Sequence, residues 1–332
     1  MKLMRNPVAT STRVRLRAGW HSTKARLVRL VGRRSRQLQR FVCTEFDRET
    51  LLAAKRASVS VCVLTKNCAS TIERTVHVCR ELQRAGLLDE LIVVDGDSPD
   101  DTAGLAERAG ATVQLESMLL PELGPVRGKG DAMWRAQSVM KGDILVFQDG
   151  DLADYSERHL LGVLGPLLVA PTIAFVKGTY QRHLRMGKVT VQNAGGRVSQ
   201  LTARPLLKAL YPDLAQFRQP LSGECAIRRE LSHSIPFVTE YGVETGMLID
   251  AYNAVGIHAM AEVDLFERAN NHQDLTALSS MAEQVIATVL TRANMLPAGG
   301  DSLLALVERP PYSAFVNEVA SATLPFARVD IK

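Results

Sequence analysis

Short apolar segments and longer amphipathic segments alternate along the chain between residues 51 and 176. The apolar runs predict buried strands, and the amphipathic segments predict helices. The predicted strands are residues 59–64, 90–94, 112–115, 143–147 and 172–176. The predicted helices between them are residues 71–85, 100–109, 130–140 and 160–170. Buried strands that alternate with helices are typical of a parallel sheet covered on both faces. The pattern therefore predicts an α/β fold with a Rossmann-like, mostly parallel sheet.

The pattern changes after residue 176. A glycine-containing loop at 187–196 is followed by segments of helical periodicity, at 198–210, 227–232, 243–255 and 275–294. The C-terminal part is therefore expected to be mainly helical. Ligands of open α/β sheets bind beyond the carboxyl ends of the strands. We therefore expect the site residues in the loops that follow the predicted strands.

Positive charge is concentrated at the start of the chain. Residues 1–40 contain twelve Lys and Arg and no Asp or Glu, so the overall charge of +5 leaves −7 for the remainder (5 − 12 = −7). We predict a basic, poorly ordered arm over residues 1–50. A transit-like peptide, a tether to nucleic acid or anionic membrane, and a start placed too far upstream remain alternatives for this arm. No nucleic-acid partner is expected for the folded body.

Cysteine usage and hydropathy bear on the compartment. The five cysteines form no CxxC pair, which indicates buried or incidental thiols in a reducing compartment. The longest uncharged run, residues 160–176, is interrupted by two glycines and two prolines, which argues against a membrane span. We expect a cytoplasmic protein without a transmembrane span.

Two acids follow the predicted strand 143–147 in the segment QDGD. The carboxylates of Asp149 and Asp151 can both bind one divalent cation, or one can bind metal and the other a ribose. Hard oxygen ligands suit Mg²⁺ or Mn²⁺, and Gly150 between them permits a sharp turn. In this position the segment resembles the DxD element of the GT-A nucleotide-sugar glycosyltransferases.

Two other strand ends resemble the nucleoside-binding loops of the GT-A fold. The segments are VSVCVLTKNCASTI (59–72) and ELIVVDGDSPDDT (90–102). We expect Leu64, Thr65 and Asn67 at the donor, and Asp95 as acceptor of a hydrogen bond from a uracil ring N–H. The alternative for these acids is that they only cap the following helix.

Several longer stretches resemble one family, the glucosyl-3-phosphoglycerate synthases of actinobacteria. They occur in family order between residues 59 and 292, and comprise DELIVVDGDSPDDT, RGKGDAMWR, GDILVFQDGDL, GGRVSQLTARPLL, QPLSGECAIRREL, YGVETGMLID and QVIAT. The resemblance implies a retaining GT-A enzyme that transfers glucose from UDP-glucose to the 2-hydroxyl of 3-phosphoglycerate. It also implies a homodimer. Residues 51–176 would form the nucleotide-sugar-binding half, and residues 177–332 the acceptor-binding and helical C-terminal part.

The resemblance assigns roles to individual residues. Asp151 would be the main metal ligand, with Asp149 as its companion. Lys129 would contact the donor's phosphate or sugar and assist departure of UDP. Glu244 would orient a hydroxyl of the transferring glucose.

The resemblance also assigns an acceptor site. Tyr241 would lie beside the transferring glucose. Gly196, Arg197 and Ser199 would hold the acceptor's phosphate and carboxylate, since a guanidinium and backbone N–H groups at a helix start suit such anions.

Two departures from the family pattern leave questions open. Asn67 is followed by Cys68, Ala69 and Ser70 where the family carries acids, which leaves the donor open. His272 lies two residues beyond the position of the family's metal-binding His, where this chain has Asn270, and either side chain could complete the metal site. The alternatives are a GT-A enzyme of a specialised pathway with another phosphorylated or nucleoside acceptor, and a non-catalytic nucleotide-sugar-binding protein.

Overall fold

The computed structural model describes residues 37–186, 189–191, 196–271, 274–296 and 306–323. The strands are β1 (Gln39–Val42), β2 (Val59–Thr65), β3 (Glu90–Asp95), β4 (Thr112–Leu115), β5 (Ile144–Asp149), β6 (Phe175–Met186), β7 (Val189–Val191), β8 (Cys225–Arg228), β9 (Phe237–Val238), β10 (Met260–Asn271) and β11 (Glu308–Arg309). The helices are α1 (Arg48–Ala54), α2 (Ile72–Arg84), α3 (Thr102–Arg108), α4 (Gly128–Ala136), α5 (Glu157–Val169), α6 (Arg204–Leu210), α7 (Arg229–Ser234), α8 (Val243–Val255), α9 (Leu275–Arg292) and α10 (Tyr312–Thr323).

One large sheet organises these elements. Its strands lie in the order β1-β10-β6-β8-β5-β2-β3-β4, with β7 paired to β6, while β9 and β11 form a separate antiparallel pair. All neighbouring pairs are parallel except those that involve β8 or β7. The predicted α/β fold with a mostly parallel sheet is therefore confirmed.

The registers of the central strands bring their last residues to one edge of the sheet. Leu64 lies opposite Asp149, and Thr65 lies opposite Asp95. The polar residues that follow β2, β3 and β5 therefore share one end of the molecule. This is the edge where ligands bind in parallel sheets.

Two apolar layers cover the faces of the sheet. The alternating side chains of β2 show the division, because Val61 and Val63 belong to one core cluster and Cys62 and Leu64 to the other. Helices α2 and α5 cover the first face, and α4 and α8 cover the second. Because both faces are covered, the strands can be apolar at every position.

The C-terminal half contains more strand than its prediction as a mainly helical region. The expected helix at 227–232 is wrong at its start, because residues 225–228 form β8 and the helix occupies Arg229–Ser234. The short run in β8 is inserted between β5 and β6 and bonds to both. Backbone pairing on two sides outweighs local helical preference here. Strand β10 also lies in this half, and β6 continues across residue 176, so the sheet spans both predicted halves.

Residues 37–50 belong to the fold, although the sequence placed them in the basic arm. Strand β1 pairs in parallel with β10, and Leu38, Cys43 and Phe46 are buried. Their apolar side chains are few and lie among basic residues, which concealed the strand. Residues 1–36 lie outside the described part. In the described residues, no helix combines the length and apolar character that a membrane crossing requires.

Exchange of Gly165 for alanine tests the packing of this N-terminal segment. A β-carbon at Gly165 in α5 would overlap the buried ring of Phe46. Overpacking of this kind costs about 1–3 kcal/mol, so Gly165→Ala should lower the free energy of unfolding in urea titrations.

Gly104→Ala in α3 is the matched control. Its β-carbon would meet first the exposed, movable carboxylate of Asp101. Alanine is favoured over glycine inside a helix by up to about 1 kcal/mol, so this variant should be neutral or stabilised. Equal free energies for the two variants would contradict the packing of Phe46 on α5.

Candidate active site

A cavity of about 650 Å³ opens at the carboxyl edge of the sheet. It is lined by the residues that follow the strands and by the first residues of helices α4 and α8. Ten residues expected at a site from the sequence line this cavity: Leu64, Thr65, Lys129, Asp149, Asp151, Gly196, Arg197, Ser199, Tyr241 and Glu244.

The two acids of QDGD meet a buried guanidinium. Arg268 of β10 donates from Nη2 to Asp151 Oδ1 at 2.9 Å and from Nη1 to Asp149 Oδ2 at 3.3 Å. Partial desolvation by the surrounding protein and the negative charge of Asp149 raise the pKa of Asp151, although its side chain is largely exposed, against the opposing effect of Arg268. Asp149 is different: burial favours protonation, but the charges of Lys129 and Arg268 outweigh it and hold the pKa of Asp149 well below its usual range.

A third acid, Glu224, also bonds Arg268 and fixes its position. Glu224 is fully buried, and its Oε1 accepts from Arg268 Nη1 at 2.6 Å. Ser222 donates to the other oxygen of Glu224 at 3.0 Å, and the ring hydroxyl of Tyr180 accepts from Arg268 at 2.9 Å. Burial alone would lower the pKa of Arg268, but the surrounding acids, Glu224 first, raise it well above its usual value. The guanidinium is therefore permanently charged.

Lys129 forms ion pairs with Asp149, a candidate metal ligand, and with Glu244, a candidate catalytic residue. Its Nζ lies 2.7 Å from Asp149 Oδ1 and 2.8 Å from Glu244 Oε1. Burial would lower the pKa of Lys129, but these two carboxylates outweigh it and raise the pKa well above the usual value. An ammonium group has three donors, so one remains for a ligand in the cavity.

Glycines allow the close packing around the acids. Gly150 was expected to permit a sharp turn, and residues 150–151 form a turn in which the φ of Gly150 is not positive. A β-carbon at Gly150 would overlap the methyl group of Thr65, and its N–H donates to Leu64 O at 2.9 Å. A β-carbon at Gly223 would likewise overlap the carboxylate of Asp149. Close approach of Thr65 and of Asp149 therefore favours glycine at these two positions.

The predicted nucleoside contacts are only partly brought to the cavity. Leu64 and Thr65 line it, whereas Asn67 and Asp95 do not. Asp95 is fully buried, and its oxygens accept hydrogen bonds from Thr65 Oγ1 at 2.9 Å and from both N–H and hydroxyl of Ser98 at 2.8 Å. These hydrogen bonds stabilise the turn that follows β3, and Asp95 does not cap the next helix, which begins at Thr102.

The residues expected to bind the acceptor also line the cavity. Gly196 adopts a φ of +70°, and residues 196–199 lead into the helical turn before α6. Ser199 is buried, while the ring of Tyr241 is half exposed and its backbone N–H donates to Gln284 Oε1 at 2.7 Å. These residues face the cavity together with Glu244.

The third metal ligand falls outside what the structure describes. His272 is not among the described residues, and of Asn270 only the backbone in β10 is described. Within the described ranges, no group of three His, Cys, Asp or Glu side chains is placed to hold a metal ion. Two carboxylates, Asp149 and Asp151, are what the described part offers to a cation.

Six charged residues of the site were not assigned a role from the sequence: Arg268, Glu224, Glu116, Glu240, Lys66 and Arg182. Arg268 lies in β10 and Glu224 directly precedes β8, both in the half predicted to be helical, so nothing placed them at the sheet edge. Glu116 and Glu240 also line the cavity. A signal existed for Arg268, because the family pattern has an Arg–acid pair before its metal-binding His, and FERANN carries such a pair.

Comparisons with known proteins agree on one family. The model of "Glycosyl transferase family 2" matches residues 60–194. The glucosyl-3-phosphoglycerate synthase of Mycolicibacterium smegmatis is 42% identical over 276 residues, which is 83% of this chain and 91% of that protein.

Two solved structures are also similar. The Mycobacterium tuberculosis glucosyl-3-phosphoglycerate synthase in complex with Mn²⁺, UDP-glucose and phosphoglyceric acid has a TM-score of 0.74 at 38% identity, over 84% of this chain and 99% of that chain. The Rubrobacter xylanophilus mannosyl-3-phosphoglycerate synthase has a TM-score of 0.75 at 39% identity, over 83% of this chain and 96% of that chain.

Removal of Arg268 tests the charge cluster. Arg268→Met leaves the Glu224 carboxylate buried without its cation, which costs about 3–5 kcal/mol of unfolding free energy. The loss should shrink from about pH 8 to about pH 5, because an unpaired buried carboxyl has a raised pKa and takes up a proton in the folded state. Urea titrations at several pH values measure this dependence.

Two further variants test whether the unpaired charge of Glu224 causes the loss of stability. Arg268→Met combined with Glu224→Gln removes both buried charges and should recover much of the lost stability. Arg48→Met is the control, because its pairs with Glu81 and Glu157 are largely exposed and contribute no more than about 1 kcal/mol. A loss of equal size for Arg48→Met and Arg268→Met would refute the cluster's structural role.

Proposed function

Because the chain belongs to the glucosyl-3-phosphoglycerate synthase family, we propose that it transfers glucose from UDP-glucose to the 2-hydroxyl group of 3-phosphoglycerate with retention of configuration. One observation carries the proposal: Asp149, Asp151, Lys129 and Glu244 converge on one cavity at the carboxyl edge of the sheet. Such a cluster suits a nucleotide diphosphate, whose negative charge needs cations and a metal ion.

Asp149 and Asp151 fit a Mg²⁺ or Mn²⁺ ion. Two-thirds of the Asp151 side chain is exposed (66%), and its Oδ2 accepts no hydrogen bond from the described residues. Mg²⁺ is commonly bound by one or two carboxylates together with substrate phosphates and water. When bound, the cation supplies Lewis-acid stabilisation of the leaving diphosphate. His272 or Asn270 is proposed as a further ligand.

Lys129 and Glu244 act on opposite parts of the donor. The spare N–H donor of Lys129 binds the diphosphate and stabilises the charge that develops on it. Glu244 accepts a hydrogen bond from a glucose hydroxyl through the oxygen that Lys129 does not contact. Tyr241 packs beside the same sugar. The acceptor's phosphate and carboxylate bind at Gly196, Arg197 and Ser199, which line the cavity and offer backbone N–H groups and a guanidinium.

Retention follows if the acceptor hydroxyl attacks from the side on which UDP departs and gives its proton to the departing phosphate. No protein base is then required. We expect the α-linked product from the α-configured donor, and NMR of the anomeric proton measures this configuration. A β-linked product would contradict retention and leave the proposed donor and acceptor unaffected.

Asp151→Ala tests the metal site. The variant should reduce metal-stimulated, 3-phosphoglycerate-dependent release of UDP on the order of a hundredfold or more, because charge on the leaving group is no longer stabilised. UDP release in the presence of Mn²⁺ or Mg²⁺ measures this. Asp154→Asn is the matched control, since this exposed acid lies three residues on and pairs with Arg158. It should retain wild-type turnover.

The same assay separates the alternatives. Turnover by the Asp151 variant with cations chelated would disprove the metal-dependent scheme. UDP release that requires another acceptor would favour a specialised pathway, and tight UDP binding without turnover would favour a non-catalytic binding protein. The similarity to a mannosyl-3-phosphoglycerate synthase makes mannosyl transfer the second candidate, tested with a nucleotide-mannose donor. The homodimer remains a proposal that analytical ultracentrifugation tests.

A further inference from the structure

Glu116 lies on the nucleoside side of the cavity, directly after β4. Its side chain is partly buried and lines the cavity together with Leu64 and Lys66, which end β2 and begin the following loop. A β-carbon at Gly96, in the loop after β3, would lie 3.4 Å from Glu116 Oε1. The carboxyl group therefore stands beside the ends of three adjacent strands, β2, β3 and β4.

The other acids near these strand ends are engaged or absent. Asp95 is fully buried and bonded to Thr65 and Ser98. The loop after β2 carries Asn67 and then no acid before Ile72. In contrast, no hydrogen bond from the described residues reaches the carboxyl group of Glu116. Glu116 is thus the acid that the described part of this region leaves available to a ligand.

We propose that the carboxyl group of Glu116 binds the hydrogen-bonding edge of the donor's nucleobase and distinguishes uracil from guanine. The inference deepens the proposed function and rests on it. It also supplies, from the end of β4, the carboxyl group that the loop after β2 lacks.

The protonation state of Glu116 decides which base it fits. A neutral carboxylic acid offers one O–H donor and one acceptor oxygen, which match the adjacent carbonyl and ring N–H of uracil. An ionised carboxylate offers two acceptors and no donor. It matches the adjacent ring N–H and amino N–H of guanine instead. Sites that read hydrogen bonds reject the mismatched ligand strongly, because a buried group is left unpaired.

The surroundings of Glu116 place the change between its neutral and ionised forms near neutral pH. Burial raises the pKa of Glu116 to about 7, with Lys66 opposing the shift and the carboxylates of Asp97, Asp95 and Asp131 adding to it. These groups come from the loop after β2, from the end of β3 and the loop that follows it, and from α4. A mixture of neutral and ionised Glu116 therefore exists in the range in which binding is measured.

Binding of UDP and GDP across pH tests the inference. Isothermal titration calorimetry of the full chain with Mn²⁺ gives both dissociation constants between about pH 6 and about pH 8. If UDP needs the neutral acid and GDP the ionised one, the preference for UDP should fall roughly tenfold per pH unit. The ratio of the two constants cancels the titration of the diphosphate and of the metal site, which the two ligands share.

Glu116→Gln separates this role from any other source of pH dependence. The amide keeps one donor and one acceptor at all pH values, so the preference for UDP should persist and become independent of pH. Glu122→Gln is the matched control, because this exposed glutamate is close in sequence and does not line the cavity. It should show the wild-type slope. Glu116→Ala should lose the preference and its slope.

The outcomes distinguish this inference from the proposed function. If neither nucleotide binds at any pH, both are overturned. If UDP binds but the wild-type ratio is flat with pH, or the slope persists in Glu116→Gln, only the role of Glu116 is overturned. The wild-type series needs no variant to fold, so a destabilised variant does not remove the test.

Discussion

The buried guanidinium of Arg268 is the interaction that makes this sheet edge possible. It contacts Asp149, Asp151 and Glu224, three carboxylates that would otherwise repel one another at the ends of β5 and β8. Removing charges from water is costly unless each is paired and hydrogen-bonded. An apolar strand such as β5 can therefore end in two acids because a strand far away in sequence supplies the compensating charge.

The same pairing shapes how a ligand enters the cavity. Asp149 is bonded on both oxygens, by Lys129 and Arg268, whereas Asp151 is bonded on one and exposed on the other. A divalent cation thus competes with few protein contacts at Asp151 and with two at Asp149. The unequal pairing gives a physical reason for the unequal roles that the sequence pattern suggested. The ion pairs of Lys129 and Arg268 join four carboxylates to two cations, and the formal charge of −2 (2 − 4) suits a divalent cation.

The sequence predicted those elements whose buried positions are visible in the local pattern of apolar residues. Strands β2 to β5 and helix α8 were expected close to their observed bounds, because continuous apolar runs and helical periodicity indicate directly which residues are buried. Arg268 could not be placed this way. It lies 117 residues from Asp151 in the chain, and only the insertion of β8 and the pairing of β10 bring it to the site. The close approach of Thr65 to Gly150 was hidden for a related reason, since Thr65 belongs to another strand.

Charge partners, more than residue type, divide the acids of this edge into structural and available groups. Asp95 and Glu224 are fully buried and fully bonded, so they support turns and position Arg268. Asp151 faces a guanidinium and the open cavity, which suits a cation that shares the site with a phosphate. Glu116 is partly buried, and burial raises its pKa and favours its neutral form against the opposing charge of Lys66. A buried acid in its neutral form has a hydrogen-bond donor that an ionised one lacks. One sheet edge thereby provides carboxyl groups for two kinds of chemistry.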